Sequence, residues 1–565
     1  MEIKTVIIII ISVKLKGILV FLSYYLAIHK SNNSFQTMRI NNYFLKIFIF
    51  LIIILNSCIE KVEDTFFLDK KISASEKIKW IFKDENIHLL KLEENAISSL
   101  KRLYKKKKFK PFWSNDSILT KKGSFILNEL RKPLAFGLPN SRIILNNHKS
   151  NNFIVNEILV TNSILTLSQD LSFGCFDTFT KSLKPYSYPT DFNMIYRLES
   201  IKSNFNSLPK TIISFGPSDS SYQKLALALY AFVSTKNFND AGDKVMNFKK
   251  DSRNSLNFAK KSLLKKGFLE ENNVDSLSFD AALKAFQHEN GLKEDAVIGD
   301  YTYDALNETN LQKCQRLCLV LEKLRWQNIK EKRFIIVNIP EYKLRFFADD
   351  TLKSINRVIV GKFDTKTPEF CAQLRAIVAY PYWNVPFSIA SKEILPAAKR
   401  NPSYFATNHM KIYKNGEELD PVTINWKAIR VNTFPYKVIQ QNGSHNSLGI
   451  IKFEFSNPYS IYLHDTPNKG LFNTVVRSYS HGCIRCENPV DLAKIILLKD
   501  ENITIPDTLD SILFRNNHHK INLKKNIPIY IVYQSVVINE EQKLIFLRDI
   551  YRRDERLAKM MFKDN

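Results

Sequence analysis

Residues 333–350 read RFIIVNIPEYKLRFFADD. Ile335, Val337 and Ile339 recur at every second position, and the alternation resumes at Leu344 and Phe346 after a short break around Pro340. A period of two lines one face of a strand pair, so the stretch predicts a β-hairpin. The same rhythm returns at Arg357–Val360, Arg375–Tyr380, Lys452–Leu463 and Ile527–Tyr533. A mainly-β domain is therefore expected over 331–565. Between Trp383 and Asn446 the rhythm is lost, and Pro386, Pro396, Pro402 and Pro421 interrupt the chain. An irregular insertion of that length in a compact domain reads as a lid, about 384–446.

Upstream of the hairpin the period is that of a helix. Ile158, Leu159, Leu165 and Leu167, then Leu225, Leu227 and Leu229, predict a helical scaffold within 58–250. Residues 251–310 form a smaller unit. Leu256, Leu263 and Leu264 precede Gly267, Phe279, Leu283 and Phe286 precede Gly291, and Ile298-Gly299 leads into Thr302 and Leu306. Three short helices around one apolar seam satisfy that order. A connecting helix with Leu321, Leu324 and Trp326, within 311–330, leads into the β domain. The expected fold class is α+β and multidomain.

With 565 residues, 45% hydrophobic and 24% charged, the composition is globular and excludes collagen-like repeats and wholesale disorder. The formal charge is +26, from 82 Lys and Arg against 56 Asp and Glu. That excess is spread along the chain, and its densest run, Lys105 to Lys108 with Lys110, reads as a solvated helix end. There is no zinc-finger spacing, P-loop, HExxH or GxSxG. Nucleic acid is therefore not expected as a partner, and a basic surface suits other polyanions equally well.

At the N-terminus, Arg39 and Lys46 precede nine apolar residues, Ile47 to Leu55, followed by Asn56-Ser57-Cys58. This is the charged, apolar and small-residue layout of an export signal. Because Cys follows the small Ser57, residues 38–57 resemble a bacterial lipoprotein signal, which implies lipidation of Cys58. Residues 1–37 would then be upstream sequence with Met38 as the start. The rival reading keeps an uncleaved signal anchor. Either way the protein is expected outside the cytoplasm, in the periplasm and held at the membrane.

Two segments can do chemistry. Tyr462-Leu463-His464-Asp465 ends an alternating run, and Ser480-His481-Gly482-Cys483-Ile484-Arg485 follows it, with Cys483 nineteen positions after His464. A thiol of pKa ~8.5 is only a few per cent ionised at neutral pH, so a nucleophilic Cys needs a base nearby. One loop would return His464 to Cys483. Gly482 lets the backbone approach a substrate carbonyl, and the Cys483 N–H is placed to meet an oxyanion. Tyr462 shares the strand face of His464, and Trp383 with Tyr382 is expected to line the cleft under the lid. Arg485 is a candidate for a substrate carboxylate, His481 for orienting the loop, and Asp465 for a structural role. Cys486 completes a formal CxxC. The βαβ context of a redox motif is absent, which leaves a reversible disulfide with an oxidised Cys483 as the remaining idea.

Two resemblances sharpen this reading. FDAALKAFQHENGLKEDAVIGDYTYDALN, 279–307, closely resembles the peptidoglycan-binding module of pattern AVxxFQxxxGLxxDGxxGxxTxxxLN. Ala296 stands where that pattern has Gly, which bears on the tightness of the turn and not on the fold. The combination of HD at 464–465 with SHGCIR at 480–485 resembles the signature of L,D-transpeptidases of the YkuD type. GKFDTKTPEF, WNVPFSIASKEILP, DPVTINW, NSLGIIKFEFSN and DIYRRDERLA match the large YcbB-like members, so the resemblance spans roughly 90–560.

The resemblance implies His464 as base and Cys483 as nucleophile, no metal and no cofactor. The implied reaction is acyl transfer between peptidoglycan stem peptides through a thioester, with loss of D-Ala and formation of a 3→3 cross-link. Two alternatives stay open: an L,D-carboxypeptidase using the same pair, and a non-catalytic wall-binding scaffold that holds glycan.

Overall fold

The computed structural model describes residues 67–563 except 68, 70, 85, 143–151, 178–181, 184–191, 243, 246–250, 271–274, 328, 330 and 501–505. The signal-like segment and Cys58 lie outside the described residues. The chain divides into two compact units, one comprising residues up to Gly123 together with Ser150–Ile158, the other comprising Ser124–Lys149 and Leu159–Asn565.

In the first unit, α1 (Ala74–Ile81) and α2 (Glu94–Lys106) bury Ile78, Ile81, Leu100, Leu103 and Tyr104. Ser73 and Glu76 form a capping box at the start of α1, satisfying two backbone donors that the first turn leaves without partners. The lysine run expected at a helix end begins in the last turn of α2, where cations oppose the negative pole of the backbone dipoles. Buried Glu157 accepts from the backbone N–H of Phe112 and Trp113 and from the hydroxyls of Tyr104 and Ser114 at 2.6–2.9 Å, so a potentially costly carboxylate becomes a knot.

The second unit holds the remaining elements, except that the first residues of the next two helices fall in the first unit. Helices α3 (Lys121–Leu130), α4 (Phe153–Phe173) and α5 (Ser220–Thr235) belong to the scaffold stretch. The smaller unit is built from α6 (Ser252–Lys265), α7 (Ser276–Glu289) and α8 (Asp300–Asn307), with Leu263, Phe279, Leu283, Phe286 and Leu306 in one core. Leu256, expected in that seam, is instead exposed. It lies seven residues before Leu263, but the core of this helix is completed by Ala259, four residues before Leu263.

Buried Gln287 staples the turn at 295–297. Its side chain accepts from the Ala296 N–H at 2.9 Å and donates to the Asp295 carboxylate and the Val297 carbonyl. Ala296 has φ +57°, the left-handed conformation that Gly enters freely. The turn therefore keeps its shape, with the side chain bearing the strain.

The connecting helix α9 (Asn310–Trp326) is more polar inside than its sequence suggests. Lys323 donates to the Tyr533 carbonyl at 2.8 Å and pairs with Asp554 at 2.6 Å, both within the buried interior. On its other side Arg325 pairs with Glu322 and donates to the carbonyls of Phe136 and Gly137. Directional charged bonds thus fix this helix to the scaffold stretch and to the β domain.

The β domain begins with the predicted hairpin, β1 (Phe334–Asn338) and β2 (Lys343–Ala348), followed by β3 (Thr351–Gly361) and β4 (Phe370–Ala379). The insertion contributes β5 (Trp383–Asn384), β6 (Met410–Lys414), β7 (Glu417–Leu419) and β8 (Lys437–Gln440). It is not irregular: these four strands form their own sheet, and Ile394, Leu395, Phe405, Ile412, Trp426 and Val438 form their own core. Strands of two to five residues between prolines carry too few alternations to be read from sequence. The lid is a small subdomain.

The main sheet continues with β9 (Ile451–Phe455), β10 (Leu463–His464), β11 (Ser478–Ser480), β12 (Ile484–Cys486) and β13 (His519–Val532). The run read as one strand, Lys452–Leu463, is two, because Asn457 and Pro458 turn the chain: Asn457 accepts from the N–H groups of Tyr459 and Ile461. Strand order is β11-β3-β12-β10-β9-β4-β13-β1-β2, and β2 pairs again with β3, so the sheet closes on itself. Closure removes most free edges. Its interior holds Val337, Leu344, Phe346, Phe453, Leu463, Ile484 and Ile529, each stabilising the fold by roughly 2 kcal/mol on burial. Helix α10 (Pro489–Lys499) adds Leu492, Ile496 and Leu497. A last hairpin, β14 (Val536–Ile538) and β15 (Leu544–Phe546), is followed by α11 (Arg553–Met561).

Two stability measurements check these arguments. Asp554→Ala leaves the buried Lys323 ammonium with only the more distant Glu369 carboxylate, 4.0 Å away, and should cost about 3 kcal/mol by chemical denaturation. Ala296→Gly relieves the left-handed residue and should gain about 1 kcal/mol without changing the fold.

Candidate active site

The sheet register assembles the site. β10 runs parallel to β12, with Leu463 opposite Ile484 and His464 opposite Arg485. The Ile484 N–H donates to the Tyr462 carbonyl at 3.0 Å, which carries the pairing one residue back and sets Tyr462 beside Cys483. Leu463 and Ile484 point into the core, so Tyr462, His464, Cys483 and Arg485 share the outer face as the corners of a square. On the next strand Lys452 lies opposite His464. One row across the face thus reads Lys452, His464, Arg485.

That row explains the state of the imidazole. Burial first, then the Arg485 guanidinium and the Lys452 ammonium, push His464 down to about 3, against a weaker pull the other way from backbone groups of Asp465 and Leu448. His464 is therefore neutral at physiological pH, and its Nδ1 is buried with no hydrogen-bond partner among the described residues. Burial likewise raises the Cys483 thiol above its usual value, although Tyr462, Lys452 and Arg485 oppose this. The resting pair is a thiol and a neutral imidazole on the diagonal of the square, with the Tyr462 ring edge-on to His464 at 5.5 Å. Diagonal neighbours on adjacent strands are within reach of a ring and a rotatable thiol. Such contacts commonly tighten when substrate binds.

The turn bearing Cys483 is held from behind. Thr367 Oγ1 donates to the Gly482 carbonyl at 2.7 Å while accepting from the Gly361 N–H at 2.9 Å. Thr365 Oγ1 donates to the Ser480 carbonyl at 3.0 Å, and Ser480 Oγ donates to the Cys483 carbonyl while accepting from the Gly482 N–H. Tyr551 donates to the Gly361 carbonyl at 2.7 Å and accepts from the Thr367 N–H at 3.2 Å. Gly482 has φ +118°, a conformation that favours glycine, while a Cβ there would come closest to the Ile461 side chain, at 3.3 Å. With Gly482 N–H committed to Ser480, the Cys483 N–H is left without a hydrogen bond among the described residues.

The expected site residues are distributed as follows. Cys483, His464, Gly482, Arg485 and Tyr462 converge, and Trp383 joins them by donating its indole N–H to the Tyr462 oxygen at 3.0 Å. Tyr382 packs on His518 and remains partly exposed. His481 points outward and pairs with Glu393 of the lid subdomain at 2.5 Å. Asp465 is buried, accepts from the Ile450 N–H and pairs with Lys469, a structural position.

The disulfide idea for Cys486 does not fit the strand. Cys486 lies in the core, on the opposite face from Cys483. Three residues of strand put them about 10 Å apart, beyond the ~7 Å between Cα atoms that a bridge can span. Sequence reasoning passed over Lys452 and Thr367. Lys452 was legible as an outward position in an alternating run, whereas the bonds of Thr367 depend on a contact 115 positions away.

Because the resting thiol is protonated, thiolate-selective iodoacetamide should modify Cys483 at pH 7 more slowly than it modifies free cysteine. The rate should keep climbing beyond pH 9. A plateau below pH 7 would instead indicate a preformed thiolate–imidazolium pair.

Residues 332–505 match the model of the L,D-transpeptidase catalytic domain, YkuD, and residues 98–229 match that of the Scaffold domain. A "Putative L,D-transpeptidase" of Haemophilus influenzae is 37% identical over 224 residues, 40% of this chain and 45% of that protein. The chain thus spans less than half the length of that curated relative. A crystal structure of an L,D-transpeptidase (Yku) from Stackebrandtia nassauensis covers 53% of this chain and 97% of its own at 12% identity, with a TM-score of 0.18. That score is too low to bear on the fold. On the two family matches, the site just described lies in a YkuD-type L,D-transpeptidase catalytic domain, carried by a chain that also contains a Scaffold domain.

Proposed function

We propose that the protein forms 3→3 cross-links in peptidoglycan through a Cys483 thioester. The observation that carries this reading is the outer-face square, in which a thiol and a neutral imidazole adjoin an Arg485 whose buried Nε has no partner among the described residues. A donor tetrapeptide stem ends in D-Ala. Its terminal carboxylate would meet Arg485, with Lys452 one position further along the row, and the scissile carbonyl, one residue upstream, would reach Cys483. That carboxylate would also offset the cations that keep protons off His464, strengthening the base once the donor is in place.

In the first step Cys483 Sγ attacks the carbonyl as its proton passes to His464. The Cys483 N–H faces the developing oxyanion. The amide bond to D-Ala breaks, His464 returns the proton to the leaving amine, and a thioester remains. In the second step a side-chain amine of another stem attacks the thioester and loses its proton to His464, and the thiol is regenerated. Transfer instead of hydrolysis requires that water be kept out, a task suited to the lid subdomain, which meets the site through Trp383 and through Glu393 on His481. The three-helix unit would hold the polymer. The same reading puts the work outside the cytoplasm, with Cys58 as a lipid attachment point.

Mass spectrometry of tetrapeptide muropeptides incubated with the protein and with Cys483→Ala tests the reaction. Cys483-dependent dimers lacking one D-Ala are expected. Tripeptide monomers alone would make it a carboxypeptidase, and unchanged substrate would favour a binding role. Arg485→Ala should raise KM for the donor about tenfold, and a donor with its terminal carboxylate amidated should lose that sensitivity.

A further inference from the structure

The N–H that faces the oxyanion in the proposed reaction belongs to the peptide between Gly482 and Cys483, and the turn itself does not decide which way that peptide lies. Gly482 has no Cβ, so rotation of the peptide plane, which exchanges the sides of its C=O and N–H, meets less steric resistance than between two residues with side chains. A trans peptide is planar, with its oxygen and its amide hydrogen on opposite sides. Whatever holds the Gly482 oxygen therefore aims the Cys483 N–H.

The group that holds it is the Thr367 hydroxyl, which donates to the Gly482 carbonyl at 2.7 Å. A hydroxyl has a single proton to give. Because Oγ1 also accepts from the Gly361 N–H at 2.9 Å, that proton is left directed at Gly482. The threonine is fixed at a second point, since its own N–H donates to the Tyr551 oxygen at 3.2 Å and Tyr551 donates to the Gly361 carbonyl at 2.7 Å. Gly361, Thr367 and Tyr551 thus close a ring of hydrogen bonds with one proton left over. Thr367 is 2% exposed and Tyr551 5%, so solvent competes little with these bonds.

The rest of the turn is committed elsewhere. Ser480 Oγ accepts from the Gly482 N–H at 3.1 Å and donates to the Cys483 carbonyl at 2.6 Å. Only the Cys483 N–H is left without a hydrogen bond among the described residues.

We propose that Thr367 is the positioning residue of the oxyanion donor: its hydroxyl holds the Gly482–Cys483 peptide in the orientation that turns the Cys483 N–H toward the substrate carbonyl. Thr367 does not touch the reacting atoms and acts through the peptide. Tyr551, 184 positions away, keeps the threonine in place. This role rests on the reading of Cys483 as the nucleophile of an acyl transfer.

The test compares two reactions of the same thiol in the full chain. Acylation by a tetrapeptide donor puts negative charge on the carbonyl oxygen and draws on the N–H. Alkylation by iodoacetamide displaces iodide at a saturated carbon and puts no charge on that oxygen. Thr367→Val keeps the shape and removes the proton. It should slow single-turnover release of D-Ala at least about tenfold, within the roughly 10²–10³ that loss of a whole oxyanion donor costs. The donor concentration for half-maximal rate and the rate of Cys483 alkylation should each stay within about twofold. Thr367→Ser, which restores the hydroxyl, should recover most of the acylation rate. Tyr551→Phe opens the ring one step further back and should show the same split at a few-fold, which also serves if the valine variant does not fold. Equal slowing of acylation and alkylation in either variant would make the ring a support for the thiol alone and overturn the proposal. Acylation unchanged in Thr367→Val, or not recovered in Thr367→Ser, would overturn it as well. Absence of Cys483-dependent D-Ala release in the unaltered protein, with alkylation still proceeding, would overturn the catalytic reading itself.

Discussion

Everything at the site follows from one parallel strand pairing, β10 against β12, only two residues long on one side and three on the other. It brings together segments separated by a 19-residue step and decides which of their side chains lie on the face away from the core of the sheet. A slip of one residue would turn Cys483 into the core and Ile484 outward, since side chains alternate with a period of two. Burial of Leu463 and Ile484 opposes that slip. The hydrophobic register of the sheet is thus also the register of the chemistry.

Holding a short pairing in place takes more than its own hydrogen bonds. The nucleophile turn is secured by two threonines that bond its carbonyls, and one of them, Thr367, by a tyrosine from the far end of the chain. Tyr551 in turn receives support through Tyr533, whose hydroxyl accepts from the Tyr551 N–H and donates to Asp549. Adjacent to Tyr533, Lys323 of the connecting helix donates to its carbonyl. A continuous chain of directional bonds therefore runs from a helix outside the β domain to the backbone beside Cys483.

Much of this was legible in the sequence, and the limits have physical causes. The alternation of Ile335, Val337, Leu344 and Phe346 gave the first hairpin because one face of it is wholly buried. His464, Gly482 and Cys483 stood out because few residue types can do that chemistry. Phe279, Leu283 and Phe286 marked the three-helix core by their spacing. The lid's own sheet was not legible, since its strands are too short to show a period. Nor were the buried charges of α9: the local pattern around Lys323 and Arg325 does not distinguish a buried cation from a solvated one, and only their tertiary partners do. The idea about Cys486 failed on direction alone, because sequence proximity does not place two side chains on one face.

The hairpin of β14 and β15 leaves the β domain and is gripped from three sides: Phe232 of α5 packs on Phe546 at 5.6 Å, Lys313 of α9 lies over the same ring at 4.8 Å, and His288 of α7 reaches Asn539 at 3.4 Å. Just beyond it, a Cβ on Gly291 would come within 3.0 Å of Leu547. The three-helix unit and the sheet that carries the thiol are thereby braced through one short hairpin, and a single ring, Phe546, is the point at which three elements from distant parts of the sequence meet.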